Sequence, residues 1–123
     1  MALIETNVYG GFAARHGLSA VVEALRPLFR EGAVYISYDP VNGDALIVRT
    51  RSVFFHTLHM EDEDSYLFDG GIEGTLEEVI AFTKSLSEAL ESAGIDHDLH
   101  VADGPMNYVA SFPESRFPEG PVR

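Results

Sequence analysis

Two short segments, "HTLH" and "HDLH", place four of the five histidines in identically spaced pairs, His56 with His59 and His97 with His100. Imidazole is a common metal ligand and the side chain best suited to carrying protons near neutral pH. The spacing therefore raises two chemistries, a metal centre and an acid–base site. Metal ligands must converge on one point about 2 Å from each donor atom. Residues three apart share a face of a helix but point to opposite faces of a strand. Both segments alternate apolar and polar residues in the manner of strands, so each pair is expected to split across a sheet. In 95–101, Ile95, Leu99 and Val101 must turn toward a core, which puts His97 among them and leaves Asp96, Asp98 and His100 on the opposite face. No shared metal site is expected. His97 reads as a partly buried, hydrogen-bonded strand residue, His16 as a surface residue near a helix entrance, and His56 and His59 as ordinary cross-strand packing.

Between the two pairs runs "MEDEDSYLFDGGIE". Asp62, Asp64 and Glu73 fall at positions 1, 3 and 12 of a calcium-loop spacing. Tyr66 and Leu67 then occupy positions that need an oxygen ligand and a sharply turning glycine, so 61–74 is expected to be a solvated polar loop. "YGGF" (9–12), which breaks the first strand, could expose backbone amides to an anion at a helix start, and a tight turn accounts for it equally well. No nucleophile elbow, phosphate loop or dinucleotide fingerprint is present, and the absence of cysteine removes disulfides, thiolate ligands and a thiol nucleophile. The sequence implies no cofactor.

The elements that would position these residues follow from periodicity. "LIETNVY" (3–9) alternates as a strand, which "YGGF" ends. From Ser19, read as an N-cap, Val22, Leu25, Leu28 and Phe29 follow helical spacing; Pro27 shortens that helix and Gly32 stops it. The alternation in 33–39 and 45–51, separated by "DPVNGD", reads as a β-hairpin. The stretch 52–60 is strand-like but too long to continue the hairpin, so a bulge or an additional strand is expected near Ser52. In 75–94, Thr75 and Glu78 form a capping box, and Leu76, Val79, Ile80, Thr83, Leu86 and Leu90 make one stripe before Gly94 ends the helix. The strand 95–101 follows, then a tail punctuated by proline.

Strand, helix, hairpin, helix, strand resembles the βαββαβ order of ferredoxin-like domains. The expected fold is therefore α+β: a two-layer sandwich with an antiparallel sheet, two helices on one face, and room for an extra strand around 53–60. One domain is expected over 1–112, with a proline-rich tail over 113–123. A chain of 123 residues buries about two thirds of its unfolded surface, enough for a self-supporting core. Such an architecture hosts many unrelated activities and names none.

Charge narrows the classes of partner. Twenty acidic residues against eight basic ones give a net charge of −12, which repels phosphate backbones and leaves nucleic-acid binding without electrostatic support. No basic leader followed by an apolar run opens the chain, and no apolar stretch approaches the ~18 residues of a membrane span, so a cytoplasmic protein is expected. A basic protein partner is the complementary expectation.

Helices on one side of a sheet leave the other open. By parity that face should carry Glu5, Asn7 and Tyr9; Tyr35, Ser37, Ile47, Arg49 and Arg51; and Asp96, Asp98 and His100. Two functional readings result. The first is a non-catalytic acidic module of inhibitor or immunity-protein type, whose Glu61, Asp62, Glu63 and Asp64 meet a basic partner. The second is a small homodimeric enzyme or ligand-binding protein that uses the open face, with His100 as acid–base group, Asp98 or Glu5 orienting it, and Arg49 holding an anion. Dimerisation would cover Tyr9, Tyr35 and Ile47.

Overall fold

The computed structural model describes residues 6–38, 40, 41, 43–60, 64–104 and 107–113. Nine elements follow in chain order: β1 (Val8–Ala13), α1 (Leu18–Leu25), β2 (Val34–Ser37), β3 (Ala45–Arg49), β4 (Val53–His59), β5 (Ser65–Ile72), α2 (Leu76–Ser92), β6 (His97–Ala102) and β7 (Tyr108–Phe112). The strands form one antiparallel sheet in the order β2-β3-β4-β5-β1-β6-β7. Both helices pack against the sheet and against each other, so the protein is an α+β sandwich of two layers.

The ferredoxin-like order does not hold: the described residues form seven strands instead of four. Two expectations fail for identifiable reasons, and one strand is new. "YGGF" lies inside β1, because its glycines let neighbouring backbones close in; a Cβ on Gly10 would stand 1.9 Å from the Asp98 carbonyl oxygen. The polar loop expected over 61–74 instead contains β5, in which Gly70 admits the Phe55 ring and backbone of β4. Tyr108–Phe112 forms β7 along β6, with a bulge between Val101 and Ala102 that leaves Val109 without a partner across the ladder.

Other local signals behave as their chemistry dictates. Helix α1 is capped by Gly17 rather than Ser19, and at Pro27 it tightens into a 3-10 turn over Arg26–Leu28. Helix α2 has the full capping box: Glu78 N donates to the Thr75 hydroxyl, and Thr75 N donates to the Glu78 carboxylate. The hairpin β2-β3 pairs Tyr35 with Ile47. At 50–52 the chain reverses into β4, and the Thr50 hydroxyl accepts from the backbone of Ser52 and Val53. The extra strand anticipated around 53–60 is therefore separate from β3.

The core lies between the layers. Val8, Phe12, Leu46, Val48, Phe55, Phe68, Leu99 and Val101 from the sheet meet Val21, Leu25, Val79, Leu86 and Leu90 from the helices. The Phe55 and Phe68 rings are 4.7 Å apart, and burying side chains of this size contributes on the order of 2–3 kcal/mol each. No helix among the described residues is long and apolar enough to cross a membrane.

Candidate functional site on the uncovered face of the sheet

Pleating splits both histidine pairs. His97 is 4% exposed on the helix side, and His100, three residues on, stands on the opposite face with its side chain 21% exposed. His56 projects from the uncovered face of β4, and His59 stacks on Tyr66 at 4.7 Å near the end of that strand. Cross-strand register sets one row across the uncovered face: Tyr35, Ile47, His56, Asp69, Tyr9, His100, Ser111. His56 and His100 lie three strand spacings apart in that row, about 14 Å. No cluster of three or more metal-ligating side chains occurs among the described residues.

Two hydrogen-bonded groups occupy the row. In the first, His56 Nε2 lies 2.7 Å from Asp69 Oδ1, and its ring stacks on Phe54, which also carries the Arg49 guanidinium 5.0 Å from its centroid. In the second, His100 Nε2 lies 2.9 Å from Asp98 Oδ2 and Nδ1 lies 2.9 Å from Ser111 Oγ. The ionised carboxylate can only accept, so Nε2 carries the hydrogen; in the neutral ring Nδ1 then accepts from the Ser111 hydroxyl. Tyr108 packs 5.8 Å from the His100 ring and meets Tyr9 edge to face at 5.9 Å.

Around these groups the face is apolar. Leu58 on β4 is 54% exposed and Leu67, its register partner on β5, is 46% exposed, with Tyr35 exposed toward the β2 edge. A cleft of about 580 Å³ runs from Met60 and Leu67 past Gly11 to Asp98. Tyr66 flanks it; its phenol is pushed above the usual value by burial, then by the Asp44 and Asp64 carboxylates.

The residues singled out in the sequence scatter accordingly. Asp98 and His100 come together, as the parity of one strand requires. Arg49 sits on β3, four strand spacings or about 19 Å from β6, so it holds no anion beside His100. Arg51 is exposed in the turn after β3, and Asp64 is exposed in the turn before β5. Glu5, Glu61, Asp62 and Glu63 lie outside the described residues. Asp98 bonds to His100, and Asp96 pairs at 2.8 Å with Arg15. Asn7 clamps β5, donating to the Ile72 carbonyl and accepting from the Ile72 amide.

Sequence reasoning missed Ser111, Tyr108, Asp69, Leu58 and Leu67. The signals were present: Asp103 and Gly104 before "NYVASF" mark a reversal, and in "SYLFDGGI" Tyr66 and Phe68 alternate with Ser65, Leu67 and Asp69. The described residues define a two-layer α+β protein with one sheet face that neither helix covers. No family model, no curated protein and no solved structure matches this chain.

Proposed function

We propose that the protein is a binding module that docks a basic protein partner on the uncovered face of its sheet. One observation carries this reading: Leu58 and Leu67 stand side by side and about half exposed on a face that neither described helix covers. Adjacent apolar side chains left in water on a small domain are characteristic of docking surfaces. The charge points to the occupant. Asp69 and Asp98 share this face, and Asp44 and Asp64 act on Tyr66 at the cleft, in a chain of net charge −12, which draws in a basic surface and repels a second acidic copy. Leu58 and Leu67 supply the dry contact and the carboxylates supply steering.

Affinity capture with the immobilised chain tests this. The captured partner, identified by mass, should be strongly basic, should bind at low salt and be released as salt rises, and should be lost with the double variant Leu58→Asp and Leu67→Asp. Retention by that variant, or capture that ignores salt, would remove this face from the account.

A further inference from the structure

Beyond docking, and independently of it, we propose that Ser111, His100 and Asp98 form an acyl-transfer site that acts on small esters with an aromatic leaving group. The docking leucines lie on β4 and β5, whereas these three residues lie on β6 and β7. His100 is held at both nitrogens, by Asp98 at 2.9 Å and by Ser111 at 2.9 Å. As derived above, this places the serine proton on a bond aimed at a bare imidazole nitrogen, the arrangement an activated nucleophile needs. The ring is partly exposed, so an ester can reach it. The Tyr108 ring beside it, with Tyr9 meeting it edge to face, offers an apolar corner against which an aromatic group can pack. The adjoining cleft reaches Asp98 past Gly11, which has no side chain to occupy it.

The reaction closes without a metal or a redox partner. Ser111 Oγ bonds to the ester carbonyl carbon as its proton passes to His100 Nδ1. The bond from that carbon to the leaving oxygen then breaks, and the proton goes to the departing phenol. Water attacks the acyl-serine, gives its proton to Nδ1, and releases the carboxylic acid as Oγ recovers a proton. Asp98 is a positioning residue, fixing the hydrogen on Nε2.

The same strand supplies an internal control. His97 Nε2 lies 2.7 Å from Ser87 Oγ, a second serine–imidazole pair, but both residues are buried. The probe is p-nitrophenyl acetate, with product release followed by absorbance and the acetylated residue located by peptide mass spectrometry. The expected result is a burst with one acetyl group on Ser111 and none on Ser87. Acetylation at that peptide disappears in Ser111→Ala and slows at least ~100-fold in His100→Ala. Circular dichroism checks that the variants fold, and Asp98→Asn, close in shape, provides a second probe of the mechanism. In Asp98→Asn acetylation slows and nitrogen NMR shows His100 losing its fixed Nε2–H tautomer. Acetyl groups found only elsewhere, Ser111 labelling that persists at full rate in folded His100→Ala, or an Asp98→Asn variant unchanged in both rate and tautomer, would overturn the proposal.

Discussion

His97 and His100 share β6, and each holds a serine hydroxyl, yet the two environments assign them different work. On the helix side, the Ile95 carbonyl lies 2.8 Å from His97 Nδ1 and fixes the hydrogen there, leaving Nε2 to accept from Ser87 of α2. Four percent exposure makes this pair a pin between sheet and helix. On the bare side the partners are a carboxylate and a hydroxyl that water reaches, and the ring's hydrogen sits on the opposite nitrogen. Spacing in sequence is the same as in the His56 and His59 pair. Position along the strand and across the sheet decides what each imidazole does.

The harshest way to break the comparison is Gly10→Ala. Its Cβ would meet the Asp98 carbonyl oxygen at 1.9 Å, so β1 cannot remain paired to β6, and both histidine environments are lost together. Destabilisation above ~4 kcal/mol, or failure to fold, is expected in urea denaturation. The sharper cut uses single histidines. His97→Ala removes a buried ring and strands the Ser87 hydroxyl, costing about 3 kcal/mol, whereas His100→Ala lets water replace the ring beside exposed groups and costs about 1 kcal/mol or less. Equal losses for the two variants would contradict the assignment of one to structure and the other to the working face.

How far the sequence revealed this depends on where the physics is local. Helix α2 was legible because its cap, stripe and stop lie within twenty residues, and the sidedness of β6 because pleating needs no partner. Asp98 and His100, two apart on one strand, were therefore placed together correctly. Strands β5 and β1 were obscured by glycines read as turns. Gly70 and Gly10 are there because neighbouring strands approach too closely for a side chain, which is visible only once those neighbours are in place. No strand was expected over Tyr108–Phe112, so Ser111, one of the three members of the acyl-transfer group, had no address. Asp69 was assigned to a loop, and its bond to His56 could not be anticipated.

The uncovered face as docking surface is the central claim, and hydrogen exchange on the complex with the captured basic partner tests it most directly. The account predicts slowed exchange in peptides covering β4 and β5, with α1 and α2 unchanged between free and bound states. Protection confined to the helices, with the sheet unaffected, would contradict it.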